Sequence, residues 1–226
     1  MYAKFLKRVI DFVLALCALI VLSPVLLILT VLGAVKMKGN PFFTQQRPGK
    51  DEKIFKLIKF RSMTCETDEE GNLLPDAQRM TRYGQLLRAS SLDELPELLN
   101  ILKGDMALVG PRPQLVRDMV FMTEDQRRRH SIRPGLTGLA QVSGRNNITW
   151  EQKLQYDLTY LDSGITLFGD IKILFMTVFK VFKREDIVRE GTVSDMDFGD
   201  WLLQKGDVTK EEYDLRQEEA KKLMGV

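Results

Sequence analysis

An apolar run at residues 9–35 constrains this chain more than any other feature of its sequence. Only Asp11 and the pair Ser23-Pro24 clearly interrupt it. At ~1.5 Å per residue, a straight helix of this length exceeds the ~30 Å hydrocarbon core of a bilayer. A signal peptide would be shorter and would end at a small-residue cleavage site, whereas this run continues past its one weak candidate at residues 15–18. The run therefore predicts a helix that stays in the membrane.

Two topologies fit this helix. Pro24 lacks a backbone donor and clashes with the carbonyl of Ile20, so it should kink the helix, while the Ser23 hydroxyl can bond a freed carbonyl. Basic residues flank the run on both sides: Lys4, Lys7, Arg8, Lys36 and Lys38. The positive-inside rule then favours both ends on the cytoplasmic side. A helix-break-helix that dips into one leaflet satisfies both observations, and a kinked spanning helix is the alternative.

Composition excludes several function classes. The formal net charge is only +2, so we expect no nucleic-acid partner. The two cysteines, Cys17 and Cys65, show no metal-ligand spacing. The only histidine, His130, leaves almost no material for a histidine-ligated zinc site or a Ser-His-Asp triad. Because it follows three arginines, we interpret it as a solvated surface residue.

After the apolar run, the spacing of apolar and turn-forming residues predicts a mainly α chain with a small β-hairpin. Residues 42–61 contain two strand-like segments around a Pro-Gly turn, and residues 64–81 read as a polar loop. Large apolar residues recur at helical spacing over residues 167–182, which suits either a core helix or a helix in the membrane interface. Residues 209–224 read as a charged, solvated helix or tail.

The sharpest polar constellation is the acid pair Asp93-Glu94. Ser91 and Glu94 have the spacing of an N-terminal capping box, whereas Pro96 alternatively marks the first position of a helix. In both interpretations the acids lie at the positive end of a helix, which also attracts phosphate. A carboxylate there stays ionised and can serve as a nucleophile or a metal ligand.

Scattered basic residues form a second constellation: Lys59, Arg61, Arg88, Arg112, Arg133 and Arg145. Two of them lie in rigid turns, since Arg112 stands between prolines and Arg145 follows Gly144. Guanidinium groups fixed in this way suit bidentate recognition of phosphate, although any single one is more often a surface charge.

Seven ordered motifs resemble the bacterial sugar transferase family, the small monotopic phosphoglycosyl transferases, over about residues 1–190. They are Lys7-Arg8-Val9-Ile10-Asp11 with Ser23-Pro24, Phe43-Thr44-Gln45-Gln46-Arg47-Pro48-Gly49, Lys59-Phe60-Arg61-Ser62-Met63, Ser91-Leu92-Asp93-Glu94-Leu95-Pro96, Lys103-Gly104-Asp105-Met106, Val109-Gly110-Pro111-Arg112-Pro113 and Arg133-Pro134-Gly135-Leu136-Thr137-Gly138-Leu139-Ala140-Gln141-Val142. The resemblance is greatest to the stand-alone member that starts bacterial protein N-glycosylation.

The resemblance implies a two-step, magnesium-dependent reaction. Asp93 would attack the β-phosphorus of a UDP-sugar, release UMP and hold the phosphosugar, which undecaprenyl phosphate would then accept. Asp93 would also lie beside Mg²⁺, and Glu94 would assist as acid or base. The remaining expected phosphate or nucleotide contacts are Lys59, Arg88, Arg112, Arg145 and Asp157, the last acting through an arginine or a magnesium-bound water.

The resemblance also implies a place in the cell and a set of partners. It implies a monotopic protein on the cytoplasmic face of the bacterial inner membrane, with a re-entrant helix broken at Ser23-Pro24. The expected partners are membrane phospholipids and downstream glycosyltransferases. We expect residues 1–36 to form the membrane helix, 37–190 a catalytic domain with interfacial amphipathic helices, and 191–226 a polar extension. The donor is expected to be an N-acetylated sugar such as UDP-diacetylbacillosamine. A hexose donor and a non-catalytic membrane scaffold are the alternatives.

Overall fold

The computed structural model describes residues 2–144, 148–183 and 196–225. Within these ranges the protein is mainly helical with two two-stranded sheets, so the predicted fold class is confirmed at that level. A π-helical turn, Tyr2–Leu6, leads into the first helix. The helices are α1 Lys7–Lys36, α2 Asp76–Arg79, α3 Arg82–Ala89, α4 Glu97–Lys103, α5 Val116–Met119, α6 Glu124–Arg127, α7 Leu139–Ser143, α8 Trp150–Asp162, α9 Leu167–Lys183, α10 Phe198–Lys205 and α11 Lys210–Met224. The strands are β1 Phe42–Pro48, β2 Ile54–Phe60, β3 Ala107–Val109 and β4 Gly135–Thr137.

Helix α1 continues through Pro24. The predicted division into two helices is therefore not observed, and re-entry into one leaflet stays a prediction. The Ser23 hydroxyl donates to the carbonyl of Ile20 at 2.8 Å, the bond expected from the sequence. It satisfies the carbonyl that the proline leaves without a backbone partner, which explains how the helix passes Pro24 intact.

The region Tyr2–Lys36 is long and apolar enough to cross a membrane, with a mean hydropathy of 3.0 in its most apolar window. Signal sequences and the core helices of soluble proteins can be equally long and apolar. A core helix would be mostly buried, however, and only 6% of the most apolar part of this helix is buried. Large apolar side chains cover the outer face, including Val21 at 74% exposure and Leu27 at 66%. An apolar face left open in this way is typical of contact with lipid or with another protein.

The inner face of α1 packs along the rest of the protein from one end to the other. Near its start, the Arg8 guanidinium donates to the carbonyls of Ile101 and Leu102. Near its end, the Tyr83 hydroxyl donates to the carbonyl of Leu29 at 2.9 Å. In the middle, Ala15 is completely buried against α4 and β2.

The polar end of α1 is fastened to α9 through Asp170. This buried carboxylate accepts hydrogen bonds from Lys7 at 2.6 Å, Tyr2 at 2.7 Å and Tyr160 at 2.6 Å. Three donors satisfy the hydrogen-bonding capacity of this buried carboxylate, and they hold α9 against the start of α1 and against α8. On its outer face α9 exposes Phe168 at 83% and Phe175 at 73%, among other large apolar residues.

Strands β1 and β2 form the predicted hairpin. They pair antiparallel from Phe42 opposite Phe60 to Pro48 opposite Ile54. Directly opposed residues point to the same side of an antiparallel pair, and side chains alternate along each strand. The side that carries Lys59 of β2 therefore also carries Gln45 and Arg47 of β1.

A second sheet, parallel and only two strands wide, was not predicted. It pairs Ala107 with Gly135 and Val109 with Thr137. A Cβ on Gly135 would lie 2.1 Å from the amide nitrogen of Gly110, so only glycine permits this backbone approach. Strands of three residues are too short to show a period, which is why the sequence did not reveal them.

Helices α10 and α11 pack onto the domain. Phe198 is 3% exposed and Ala220 is 1% exposed, and both belong to an apolar cluster that also contains Trp150 of α8. Arg216 donates to the carbonyl of Val120 at 2.6 Å. The C-terminal helix, predicted to be solvated, thus has one face in the core and its charged face in solvent.

Candidate active site

The acid pair lies in a tight turn between α3 and α4. Ser91 adopts the left-handed conformation, with φ 56° and ψ 17°, and Leu92–Glu94 form a single 3₁₀ turn. The Ser91 side chain makes no capping bond, and α4 starts at Glu97 with Pro96 before it. The capping-box interpretation is therefore wrong, and the helix start marked by Pro96 is right to within one residue. A non-glycine residue at positive φ stores strain that the surrounding packing must hold.

Glu94 lies between two cations. Lys59 Nζ contacts Glu94 Oε1 at 2.9 Å from the hairpin. The Arg112 guanidinium approaches from the loop after β3, with Nη2 on Oε1 and Nη1 on Oε2 at 3.4 Å. Although burial alone would raise the pKa of Glu94, Arg112 and Lys59 outweigh it and hold that pKa far below its usual range.

Glu97 is a third acid of the site, and sequence reasoning missed it. Its side chain is 2% exposed and lies 3.0 Å from Lys59 Nζ. Burial raises its pKa to about 7 despite the lysine. The available signal was its position on the inward face of α4, next to Leu98 and Ile101.

Asp93 differs from its neighbours because its carboxylate has no partner. It makes no hydrogen bond or ion pair within the described residues, while Glu94 is paired with Lys59 and Arg112. Burial, followed by repulsion from Glu94, raises the pKa of Asp93 to about 6. The positive charges of Lys59, Arg112 and Arg88 act in the opposite direction. An unengaged carboxylate of raised basicity is the form in which an aspartate can act as a nucleophile.

The structure brings three of the predicted binding residues, Lys59, Arg88 and Arg112, close to Asp93 or Glu94. Lys59 and Arg112 touch Glu94, and Arg88 is close enough to influence the pKa of Asp93 while its Nε donates to Ser62 at 3.0 Å. Asp157 does not contact either acid and acts on Arg112 through Arg129. Arg145 lies outside the described residues.

Asp157 supports Arg112 through Arg129, an arginine that the sequence analysis did not include among the candidate site residues. Arg129 Nε and Nη2 lie 2.9 and 2.7 Å from Asp157 Oδ2, and both side chains are almost fully buried. Arg129 Nη2 also donates to the backbone carbonyl of Arg112 at 2.6 Å. Asp157 therefore orients Arg129, and Arg129 fixes the loop that presents Arg112.

His130 is not on the surface, so that interpretation is wrong. It is 5% exposed, with Nδ1 at 3.7 Å from Glu52 Oε1. Burial and the neighbouring Arg129 lower its pKa to about 3, so the ring is neutral at pH 7. The three preceding arginines misled the prediction because Arg129 itself points inward.

The site suits a magnesium ion only in combination with a substrate. Among the described residues no group of three or more His, Cys, Asp or Glu side chains is placed to hold a metal ion. Magnesium, however, is commonly bound by one or two carboxylates together with substrate phosphates and water. The unengaged Asp93 carboxylate fits that second mode.

Comparison with known proteins decides the family. Residues 2–184 match the family described as bacterial sugar transferase. The chain belongs to this family. The predicted family is therefore confirmed, and the names of relatives agree with the prediction of a phosphoglycosyl transferase.

Three relatives illustrate the range of the family. An uncharacterized sugar transferase, EpsL of Bacillus subtilis, is 47% identical over 189 residues, which cover 84% of this chain and 93% of that protein. A UDP-glucose:undecaprenyl-phosphate glucose-1-phosphate transferase of Klebsiella pneumoniae is 38% identical over 78% of this chain. An undecaprenyl-phosphate galactose phosphotransferase of Salmonella typhimurium is 36% identical over 81% of it. The chain spans only 40% and 42% of the length of these last two proteins.

Proposed function

We propose that this bacterial sugar transferase moves a sugar-1-phosphate from a UDP-sugar to undecaprenyl phosphate and releases UMP. The carrying observation is the unengaged, largely covered Asp93 carboxylate beside a cluster of cations. The relatives named as undecaprenyl-phosphate sugar-phosphate transferases support the same reaction. A membrane scaffold would not need a carboxylate held in this state, so the enzyme is favoured over that alternative.

In the first step, an Asp93 oxygen attacks the β-phosphorus of the donor. A bond forms between that oxygen and phosphorus, and the bridging bond to the α-phosphate breaks, so UMP leaves with the electron pair. Arg112 and Lys59, the cations beside the acid pair, stabilise the negative charge that builds up on the phosphate oxygens. Arg88 is close enough to assist.

In the second step, a phosphate oxygen of the acceptor attacks the same phosphorus and the Asp93 carboxylate leaves. The product is a polyprenyl diphosphate sugar. Glu94, which the sequence analysis assigned as acid or base, is held deprotonated in two ion pairs. Its environment suits the positioning of Arg112 and Lys59 better than proton transfer.

Mg²⁺ would be held by Asp93 together with the phosphates of the donor. When bound, it neutralises diphosphate charge and stabilises the leaving UMP. The protein's own contribution is the unengaged carboxylate and the fixed cations around it.

We further propose that α1 lies in one leaflet with both ends at the cytoplasmic face of the inner membrane. Packing along the whole helix supports this, because one domain contacts it near Arg8 and again near Leu29. A helix that crossed a bilayer would separate these ends by the hydrocarbon core. The exposed apolar faces of α1 and α9 would then both contact phospholipid and hold the domain at the membrane surface, where the phosphate of the lipid acceptor lies.

The decisive experiment measures UMP release by purified protein with magnesium across a donor panel. UDP-glucose and UDP-galactose come first, because relatives are named for glucose and galactose, and UDP-diacetylbacillosamine tests the N-acetylated alternative. We expect one donor to give UMP whose steady-state release requires undecaprenyl phosphate. If no donor gives UMP, the scaffold alternative is preferred.

A further inference from the structure

The ammonium group of Lys59 bridges two carboxylates near the start of α4. Lys59 Nζ donates to Glu94 Oε1 at 2.9 Å and lies 3.0 Å from Glu97 Oε1. Glu94 ends the 3₁₀ turn that carries Asp93, whereas Glu97 is the first residue of α4. Lys59 itself comes from β2. The bridge therefore joins the hairpin, the turn of the acid pair and α4.

The two carboxylates of this bridge are not equivalent. Glu94 has a second cation, Arg112, and its side chain is 20% exposed. Glu97 forms an ion pair only with Lys59 among the described residues, and its side chain is 2% exposed. Its Oε1 is covered and makes no well-directed hydrogen bond, so the ion pair with Lys59 is what compensates its charge. An entering ligand can therefore compete for the cations of Glu94 without reaching Glu97.

Asn100 sets the distance between Glu97 and Lys59. Its completely buried side chain donates to the carbonyl of Lys56 at 2.8 Å and accepts from the amide of Ile58 at 3.1 Å. These bonds attach α4 to β2. Residues three apart lie on the same face of a helix, so Glu97 faces β2 as Asn100 does. The contact between Glu97 and Lys59 thus follows from the packing of two elements rather than from a chance approach of two flexible side chains.

The charge of Glu97 is unfavourable for the stability of the fold. Burial raises the pKa of Glu97 to about 7, although Lys59 acts in the opposite direction. Because the native protein holds this proton more tightly than the unfolded chain does, stability falls as the pH rises toward 7. An amide of the same shape would avoid this loss. A destabilising group beside reactive acids is typical of a functional role.

The donor substrate gives this bridge a purpose. A diphosphate beside Asp93 competes with Glu94 for Lys59 and Arg112, because phosphate oxygens bind the same cations. The four-carbon stem of lysine is flexible, so the ammonium could swing out of the site once Glu94 no longer holds it. The covered Glu97 stays in contact with the ammonium while it turns to the phosphate.

We propose that Glu97 is a positioning residue that holds the Lys59 ammonium in place for the phosphate that reacts at Asp93. This inference rests on the proposed function and deepens it. Glu97 acts through Lys59 and contacts neither the substrate nor a metal ion. Its carboxylate therefore contributes to the rate of the reaction and not to the stability of the protein.

The test measures kcat/KM for the UDP-sugar in Glu97→Gln at pH 8, by UMP release in the presence of undecaprenyl phosphate. Loss of the carboxylate should lower kcat/KM about 10-fold. The variant should melt no lower than wild type, because the buried charge is gone. Glu124→Gln is the matched control and should leave kcat/KM unchanged, since Glu124 is also the first residue of a short helix but is exposed.

A double-mutant cycle shows whether the effect passes through Lys59. Lys59→Gln removes the ammonium without changing α4. If Glu97 acts only through that ammonium, adding Glu97→Gln to Lys59→Gln should cause no further loss of kcat/KM. Losses that multiply in the double variant would overturn the proposal, because a structural role of Glu97 does not depend on Lys59.

Further outcomes would also contradict this role. A Glu97→Gln protein that melts well below wild type would make Glu97 a structural residue. A rise in the Mg²⁺ concentration needed for half-maximal rate would make it a metal ligand. An unchanged kcat/KM in Glu97→Gln, with an active wild type, refutes only this inference, whereas a wild type that releases UMP from no donor overturns the proposed function as well.

Discussion

At the scale of single residues, Asp93 and Glu94 are adjacent in sequence but have very different pKa values, because their surroundings differ. Glu94 is neutralised by Lys59 and Arg112, so its pKa is far below its usual range, whereas the pKa of Asp93 is raised to about 6. Neighbouring carboxylates with divergent pKa values commonly have different roles in one reaction. Sequence alone identified the pair but could not assign the partners, since they come from the distant hairpin and the loop after β3.

The raised pKa of Asp93 predicts a pH dependence. The ionised carboxylate is the nucleophile, so kcat/KM for the donor, which reports the free enzyme, should rise with pH and level off above an inflection near 6. An unshifted aspartate would instead give an inflection near 4. Because the pKa of Glu97 is about 7, the profile should be repeated with Glu97→Gln, which should keep the inflection. A flat profile down to pH 5 would contradict the assignment.

At the scale of elements, the hairpin was predicted from local patterns, whereas the capping box at Ser91 and the break of α1 at Pro24 were not observed, and pairings between distant segments were not predicted. The hairpin was predicted because its strands and its Pro-Gly turn lie together in sequence. The Ser91 turn was not predicted, because the residues beside this left-handed serine are held by distant segments: Leu92 and Leu95 pack against Leu29 of α1, Phe60 of β2 and Leu87 of α3. The inward direction of Arg129 likewise depends on α8, which supplies Asp157 28 residues later.

The Arg129–Asp157 pair should be important for stability. Asp157→Asn leaves a buried guanidinium without its charge partner, which we expect to lower the free energy of unfolding by about 3–5 kcal/mol. Asp162→Asn on the same helix is the matched control, because the Arg128–Asp162 pair is about half exposed and should contribute at most about 1 kcal/mol. Denaturant unfolding of both variants measures the difference. Equal effects would show that Asp157 does not hold Arg129 as described.

Helix α1 gives a topological prediction. If it lies in one leaflet, tags at residue 1 and at the C-terminus should both be cleaved by protease in inside-out vesicles and both be protected in intact spheroplasts. This outcome follows from the packing of both parts of α1 on one domain. A tag at residue 1 that is cleaved in intact spheroplasts, with the C-terminus protected, would establish a spanning helix instead.

At the scale of the whole molecule, the described C-terminal helices belong to the folded unit. The sequence of α11 is so strongly charged that its one inward stripe was overlooked. Phe198 of α10 lies against Trp150 with ring centroids 5.1 Å apart, and Ala220 of α11 is buried in the same cluster. The family match ends at residue 184, so this packing extends the domain beyond the shared region.

Phe198→Ala should therefore destabilise the whole protein. Deleting a large buried aromatic ring typically costs about 3–5 kcal/mol. Leu215→Ala on α11 is the control, since Leu215 is 73% exposed and its truncation should have little effect. Thermal melts followed by circular dichroism compare the two. If Phe198→Ala melts with the wild type, the C-terminal helices do not contribute to the core.

The central claim is that Asp93 carries the phosphosugar between donor and acceptor, and intact-protein mass spectrometry tests it most directly. The protein is mixed with its UDP-sugar and magnesium in the absence of undecaprenyl phosphate and then analysed before and after the lipid is added. We predict an added mass of one phosphosugar that maps to the peptide containing Asp93, disappears when the lipid is added, and is absent from Asp93→Asn. UMP release without any adduct on the wild type, or an adduct that persists in Asp93→Asn, would contradict the account.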